Sequence, residues 1–355
     1  MLISEHVRSN RAFLLLRIFV IIQRRGRCDK CIRQKEKTTL KYALRRILAL
    51  FITMILVSFL AFAAFHIISG DPARAILGMN ATEKQLALLR QELGLDKPFL
   101  VQYFNWLLGF FSGNLGISYS YRQPVASLII PKLQVTLVMV LISFGIIVVL
   151  SLPLGLRAAQ KSGGRLDWLR TTVDQLCMAV PAFFLSILVS YIFGIVLKFF
   201  TPGDFPKMER DLTGALRYLF FAAVCIAIPR IAMAVRMLGS TIIEEMEKDY
   251  VRTAISRGNT RAEVLKKHVL KNSLVPTITF LGQTMAEIVG GSIVVEQVFG
   301  IPGMGRFLVA SISNRDYPVV EALVVILAFW VILSGTVADL VGQKIDPRLR
   351  LGDRS

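Results

Sequence analysis

One apolar segment of the chain carries polar side chains near its centre. Residues 274–299 are long enough to cross a bilayer, and Gln283, Thr284 and Glu287 lie among them at separations of one, three and four residues. One helix face can hold all three. Polar side chains in a spanning helix are costly unless they face a cavity or a partner. We therefore predict that Gln283, Thr284 and Glu287 line a polar path, with bonding to a neighbouring helix as the alternative for Glu287. Gln175, at the start of another apolar segment, is a further candidate.

The sequence lacks the motifs of several familiar chemistries. It has no Gly-x-x-x-x-Gly-Lys-Ser/Thr loop for ATP phosphates, no His-Glu-x-x-His and no Gly-x-Ser-x-Gly. Three histidines make a histidine metal site or proton relay improbable. Cys28 and Cys31 supply only two of the four ligands of a structural zinc, so a reduced pair is expected. We expect no catalytic residue, metal or cofactor in this chain. If the protein moves a solute against a gradient, the energy would enter through a partner.

The composition limits the class of protein. The chain has 355 residues, 54% of them apolar and 19% charged, and its mean hydropathy is +0.58. It carries 42 Lys and Arg against 24 Asp and Glu, a net charge of +18. A disordered basic tail would lack the apolar content, and a soluble nucleic-acid-binding protein would not hide so much apolar surface. A membrane protein with its positive charge on one side fits both facts, and no nucleic-acid partner is expected.

Six segments reach the length of about 20 apolar residues that a spanning helix needs. They are residues 47–69, 133–156, 175–197, 212–235, 274–299 and 319–341. The fourth contains Pro229 and two arginines, Arg217 and Arg230, which we expect to snorkel or to pair. With the N-terminus in the cytoplasm, 29 basic residues fall inside and 11 outside. Basic loops resist translocation, so both termini are predicted to be cytoplasmic.

The first 40 residues are predicted to form a basic cytoplasmic extension. Its apolar stretch, residues 12–23, is too short to span a membrane, and its basic flank offers no signal-peptide cleavage site. An interfacial helix on the cytoplasmic leaflet is the preferred interpretation, because basic flanks favour anionic lipid. A wrongly assigned start codon is the alternative, although no Met occurs between Met1 and Met54.

Two further segments outside the apolar runs are predicted to be helical. In residues 236–273 a helical pattern stops at Gly258-Asn259, and Thr260 with Glu263 forms a capping box for a second helix that ends near Leu274, before Pro276. This helical hairpin is either simply solvated or a rigid lever. In the external residues 70–132, Thr82 and Gln85 form a similar box. The aromatic residues near Trp106 indicate an interfacial helix.

Residues 249–276 contain Asp249-Tyr-Val-Arg-Thr-Ala254, then Gly258, and Pro276 eighteen residues after that glycine. This pattern resembles the coupling loop of ATP-binding-cassette (ABC) importer permeases of the dipeptide, oligopeptide and nickel branch. Other matches occur in the family's order across nearly the whole chain from about Tyr42. They are Gly70–Ala73, Leu93–Pro98, Gln102-Tyr103, Gly113–Ser118, Val295-Glu296, Pro302–Gly305, Arg315–Pro318 and Asp346–Arg348.

The resemblance implies an all-α polytopic membrane protein of the type I ABC importer permease fold, with six transmembrane helices and a helical cytoplasmic coupling loop. Residues 41–355 would be the permease domain. It would pair with a second homologous permease in a bacterial or archaeal cytoplasmic membrane and contact its lipid. Two cytosolic ATPase subunits would bind ATP and magnesium, and an extracytoplasmic solute-binding protein would deliver dipeptides or oligopeptides. Nickel or another small solute is the alternative cargo, and a stand-alone secondary transporter or a membrane scaffold is the alternative class.

The resemblance also assigns roles to residues. Those implied to couple to the ATPases are Tyr250, Thr253, Ala254, Gly258 and Pro276, with the small Thr253 and Ala254 seating the helix in a groove. Three positions depart from the family pattern: Asn114 replaces an Asp, Gly239 replaces a frequent basic residue, and Glu287 stands where a small or neutral residue is common. Glu296 lies near a helix end, where solvation is the default expectation.

Overall fold

The computed structural model describes Leu44 and residues 46–67, 72–78, 81–92, 94–160, 164 and 167–345. Internal contacts divide the chain into residues 1–52 and 53–355. The predictions for the first 40 residues, with the Cys28 and Cys31 pair, lie outside the described residues. So does the C-terminal match at residues 346–348.

The described residues are helical almost throughout, and we number the helices along the chain. Their bounds are Arg46–Ile67 (α1), Pro72–Leu77 (α2), Glu83–Glu92 (α3), Phe99–Phe111 (α4), Val125–Gln160 (α5), Asp167–Ala179 (α6), Ala182–Val189 (α7), Leu212–Met246 (α8), Asp249–Ser256 (α9), Arg261–Val264 (α10), Leu270–Phe299 (α11), Met304–Ser313 (α12) and Tyr317–Ile345 (α13). Two π-helical stretches continue neighbouring helices, Ser190–Val196 after α7 and Leu265–Val269 between α10 and α11.

Five helices of the described residues are long and apolar enough to span a membrane, and the count is six if α6 and α7 form one bent span. This confirms the helical membrane fold, but the third segment, predicted over residues 175–197, is interrupted at residues 180–181 by a bend. The axes of α6 and α7 differ by 94°. Pro181 is the N-cap of α7, and proline both lacks an amide hydrogen and disfavours helical geometry at the residue before it.

The fifth span also differs from the prediction. Pro276 does not begin it, because one helical segment runs from Arg261 to Phe299 with Pro276 inside it. A proline within a helix removes one backbone hydrogen bond but does not always end the helix. The part of the coupling loop from Arg261 onward and the fifth span therefore form one continuous helical segment of 39 residues.

The main core lies where α5, α8 and α11 pack together. Small buried residues of α8, such as Ala222, Ala223 and Ala227, let α5 and α11 approach its backbone closely. Met139 of α5 and Ile288 of α11 complete this core without exposed surface. The two helices that extend toward the coupling loop, α8 and α11, are thus in contact within the membrane part of the protein.

The segment predicted to be external holds the helices α2, α3 and α4, and external and cytoplasmic denote the predicted sides of the membrane. At the start of α3, the backbone nitrogen of Thr82 donates to Gln85 Oε1 at 3.0 Å, as one half of the predicted box requires. The aromatic helix is α4, which packs on α1 around Tyr103. The Tyr103 hydroxyl lies 2.8 Å from Ser58 Oγ and donates to the Ile55 carbonyl at 3.2 Å.

Candidate coupling hairpin and charged transmembrane site

Residues 249–269, from α9 to the end of the second π-helical stretch, form a unit that we call the coupling hairpin. Its inner side is apolar: Val251, Val264 and Val269 are buried against Leu238 and Ile242 of α8. Side chains at the cytoplasmic end of α5 cover the same cluster. The hairpin is therefore fixed to two long helices by its own core.

The turn of the coupling hairpin matches the prediction in detail. Gly258 has a φ of +90°, a conformation that a β-branched residue adopts only with strain, although a Cβ there would meet nothing within 4 Å. The capping box that opens α10 is complete, with Thr260 Oγ1 accepting from the Glu263 amide at 3.3 Å and Glu263 Oε2 accepting from the Thr260 amide at 2.9 Å. The chain reversal expected at Gly258 is confirmed.

The residues predicted to couple to the ATPases do not form one surface. Thr253 is exposed on the outer side of α9, next to Arg252. Ala254 is half-buried against the apolar cluster, and its carbonyl accepts from Asn259 Nδ2 at 3.0 Å. Thr253 can therefore touch a docked partner, whereas Ala254 supports the turn.

Tyr250 also points inward. Its hydroxyl donates to Glu245 Oε2 at 2.7 Å and accepts from Asn272 Nδ2 at 3.4 Å. Burial, followed by the hydrogen bond to the Glu245 carboxylate, raises the pKa of Tyr250 above its usual value. The side chain thus links α8, α9 and α11. Pro276, the fifth predicted residue, lies apart from this hairpin, half-buried within α11.

The four residues predicted for the polar path are also separated. Thr284 is fully buried, and its hydroxyl donates to the Phe280 carbonyl of its own helix at 2.9 Å. Gln283 and Glu287 are exposed on another face of α11, so the prediction that one face holds all three is wrong. Successive residues of an α-helix are about 100° apart around its axis. Thr284 therefore points into the core although Gln283, the residue before it, is exposed.

Gln175 lies on α6, in a different place. It lines a small cavity of about 180 Å³ whose walls come from α5, α6 and α8, with none from α11. Beside it is a larger cavity of about 760 Å³ between the same helices, which no sequence motif predicted. Arg170 borders both cavities and pairs with Asp167 at 2.7 Å. The structure therefore does not bring Gln175 together with Gln283, Thr284 and Glu287.

Glu287 forms an ion pair with Arg230 of α8. The side chains are 49% and 26% exposed, respectively, so the pair lies at the surface of the helix bundle. Of the two predictions for Arg230, snorkelling or pairing, the structure shows pairing. Among the described residues, no group of three or more His, Cys, Asp or Glu is arranged to hold a metal ion.

A buried carboxylate at the external end escaped the sequence analysis. Glu296 is fully buried, contrary to the solvation expected near a helix end. It accepts from Thr136 Oγ1 at 2.7 Å and from the Arg306 amide, in the first turn of α12, at 2.9 Å. A Cβ at Gly303 would lie 2.4 Å from its carboxyl carbon, which explains why glycine follows Pro302. A carboxylate at a helix N-terminus is favoured by the free amides and the helix dipole.

A second buried carboxylate joins two of the sequence motifs. Asp316 accepts from Ser118 Oγ at 2.5 Å and from the Tyr119 amide at 3.0 Å, although Ser118 is 198 residues away along the chain. Asn114, which replaces an Asp of the family pattern, accepts from the Gly116 amide at 3.1 Å through its side-chain oxygen. An Asp could make the same contact, so the departure preserves the turn. The sequence signal for both carboxylates was their place in motifs that resemble those of the family, not their polarity.

Comparison with known proteins identifies the family. The family model "Binding-protein-dependent transport system inner membrane component" matches residues 151–351, and the corresponding N-terminal membrane-component model matches residues 39–140. A putative peptide transport system permease protein of Brucella abortus is 36% identical over 311 residues, 86% of this chain and 98% of the relative.

Two other relatives agree with this match. A probable peptide ABC transporter permease protein of Sinorhizobium fredii is 32% identical over 309 residues, 87% of this chain and 99% of its own length. The glutathione transport system permease protein of Salmonella typhimurium is 33% identical over 311 residues, 88% of this chain and 99% of its own length. The resemblance, the type I permease fold and the permease role predicted from the sequence are thereby confirmed. The chain belongs to the family of binding-protein-dependent transport system inner membrane components.

Proposed function

We propose that this permease forms one half of a peptide-importing pore and that ATPase subunits drive it through the coupling hairpin. The observation that carries the proposal is the hairpin's construction: an exposed outer side at Arg252 and Thr253 above an apolar base fixed to α5 and α8. Relatives named as peptide and glutathione permeases support peptides as the substrate class. The second half of the pore is a homologous permease.

The geometry supports a lever mechanism. From the coupling hairpin, α8 leads back to Leu212 and the rod of α10 and α11 leads on to Phe299, both without a break in the helix. When two ATPase subunits close on ATP and magnesium, they displace the two hairpins. Each hairpin then moves its α8 and α11 together, because the apolar cluster and the Tyr250 hydrogen bonds join them. The pore opens outward, where a solute-binding protein releases the peptide.

Orientation in the proposed complex follows from charge. The coupling hairpin and the basic N-terminal part lie on the cytoplasmic side, as the distribution of Lys and Arg favours. Both termini are then cytoplasmic, and the external segment with α2, α3 and α4 faces the solute-binding protein. ATP and magnesium are bound by the partner ATPases, and membrane lipid surrounds the pair of permeases.

The test of this function is reconstitution of the chain with its partner permease, ATPases and solute-binding protein in proteoliposomes. We expect peptide uptake that requires ATP, and ATPase subunits that co-purify with the permease. ATP-independent uptake by the isolated chain would overturn the proposal.

A pair of variants tests the docking surface. Thr253→Trp enlarges an exposed residue whose hydroxyl bonds the carbonyl four residues earlier, at 3.0 Å. Ser313→Trp is the matched control, since Ser313 is exposed on α12 and makes the same kind of hydrogen bond at 3.0 Å. We expect ATPase subunits to be lost from preparations of the first variant and retained in the second. Full retention in both would show that the ATPases dock elsewhere.

A further inference from the structure

The Arg230–Glu287 ion pair lies deep within the membrane part of the protein. At the external end of the same two helices, the Tyr218 hydroxyl donates to the Phe299 carbonyl at 2.5 Å. Arg230 is 12 residues from Tyr218, and Glu287 is 12 residues from Phe299. At the helical rise per residue, both charges are therefore about 18 Å below that contact, within a hydrocarbon core that is about 30 Å thick.

The surroundings of the pair show that its exposed side does not face lipid. Glu287 is 49% exposed, and Gln283, one turn toward the cytoplasm on the same helix face, is exposed as well. Charged and amide side chains turned toward hydrocarbon are costly, so spanning helices direct them to a protein partner or to water. The face of α11 that carries Gln283 and Glu287 is therefore expected to turn to a protein partner or to water, and the proposed pore between two permeases supplies both.

The same face offers space next to the pair. Gly290 and Gly291 follow Glu287 by three and four residues, toward the external end. A Cβ added at either glycine would meet no atom within 4 Å in the described part of the chain. On the other side, Arg230 contacts the flexible Met233, whose sulfur lies 3.9 Å from the guanidinium. The pair therefore borders a volume in which a peptide backbone can lie against bare helix.

We propose that Arg230 and Glu287 form a charge clamp that binds the two termini of a zwitterionic peptide during import. Without peptide, the two residues neutralise each other and close the path. With peptide, the two side chains move apart, because the termini of an extended tripeptide are about 10 Å apart. Glu287 then binds the terminal ammonium group and Arg230 binds the terminal carboxylate. This inference rests on the function proposed above and names the groups by which this permease would recognise its substrate.

The exchange is physically favourable because no charge is left alone. One ion pair inside the protein is replaced by two between protein and peptide, and the net charge of the site stays the same. Breaking a pair without replacement would leave a costly uncompensated charge. Arginine suits the carboxylate position, since its planar guanidinium forms two parallel hydrogen bonds with a carboxylate.

The clamp predicts a preference among modified peptides. Tri-alanine carries both charges, N-acetyl tri-alanine lacks the ammonium group, and tri-alanine amide lacks the carboxylate. Uptake is measured in proteoliposomes of the complete complex, at peptide concentrations that saturate the solute-binding protein as determined separately for each form. Since a hydrogen bond to a charged group distinguishes substrates by about tenfold, we expect the free peptide to be imported about ten times faster than either modified form.

The variants assign each terminus to one residue. In Glu287→Gln, the preference for the free over the N-acetylated peptide falls to about one, while the preference over the amide remains. In Arg230→Gln, the preference for the free peptide over the amide falls to about one, while the preference over the N-acetylated peptide remains. Arg217→Gln is the control, because Arg217 is an exposed arginine in the same helix and lies outside the clamp. We expect it to keep both preferences.

The other outcomes contradict the clamp in recognisable ways. If the ion pair had a structural role alone, each single variant would lose uptake of all three peptides equally. The Arg230→Gln/Glu287→Gln double variant would recover uptake, and the preference for the free peptide would not change in any variant. Equal import of all three peptides by the unmodified complex would also overturn it. Absence of any ATP-dependent uptake in the unmodified complex would instead refute the proposed function itself.

Discussion

The two ends of the long helices are held in different ways. At the external end, Glu296 and Asp316 are fully buried, and each accepts hydrogen bonds from a side chain and from a backbone amide of another element. At the cytoplasmic end, the coupling hairpin is held mainly by valine and leucine side chains. Hydrogen bonds fix direction and register, whereas apolar contacts are non-directional. The hydrogen bonds therefore fix the local geometry around Glu296 and Asp316, whereas the apolar contacts at the base of the hairpin permit small sliding movements.

Among the substitutions that test this difference between the two ends, Glu296→Leu is expected to have the largest effect on stability. The substitution leaves Thr136 Oγ1 and the Arg306 amide without their acceptor in a buried place, so we expect a loss of about 2–4 kcal/mol in the free energy of unfolding. Thermal unfolding in detergent measures it. Glu296→Gln keeps an acceptor oxygen and should lose less. Equal stability of the Leu variant and the unmodified protein would contradict the role assigned to the carboxylate.

A smaller effect is expected for Asp316→Ala. It frees Ser118 and the Tyr119 amide, but part of this turn is near the surface, so we expect a loss of about 1–3 kcal/mol and faster proteolysis within residues 112–124. Limited proteolysis followed by mass spectrometry locates the cut. Asp316→Asn is the matched control, since it retains an acceptor. Unchanged cleavage in the Ala variant would show that Asp316 does not hold the turn.

At the cytoplasmic end, Gly258→Val tests coupling rather than folding. The backbone strain at a φ of +90° costs about 1–2 kcal/mol, which the long helices tolerate. We expect a folded complex that hydrolyses ATP but imports little peptide, because the chain reversal of the hairpin changes. Gly258→Asn is the control, since Asn tolerates left-handed geometry better. Normal uptake by the Val variant would refute this role.

The smallest effect is expected for Tyr250→Phe, and it depends on pH. Removal of the hydroxyl costs about 0.5–1 kcal/mol at neutral pH through the lost bond to Glu245. The pKa of Tyr250 is raised in the folded protein, so this stabilisation is complete below the unfolded value near 10 and disappears as the pH rises through the folded value. The stability difference between the two proteins should be constant from pH 7 to 9 and shrink above pH 10. A constant difference at pH 11 would contradict the assignment.

Hydropathy predicted the spans well because each apolar run must satisfy its own backbone in the membrane. It could not predict the 94° bend at Pro181, since the apolar run continues through the bend and hydropathy carries no direction. The proline itself suggested that Pro276 begins a helix, whereas Pro276 lies inside α11.

Polar positions were harder to predict than spans. Spacing placed Gln283 and Glu287 correctly on one face but could not show which side of α11 faces the core, so Thr284 was misplaced. The partners of Glu296 and Asp316 lie as far as 160 and 198 residues away in sequence, and only the folded chain brings them together. The hairpin turn was predictable because its capping box and its glycine act within a few residues of each other.

The continuous helical segment from Arg261 to Phe299 also determines how far the coupling hairpin moves when α11 tilts. Its 39 residues span about 58 Å, so a tilt of about 5° around the Phe299 end displaces the hairpin by about 5 Å. This displacement is about the length of one helical turn. A shift of the hairpin by one turn therefore requires only a small change in the angle between α11 and the helices packed against it.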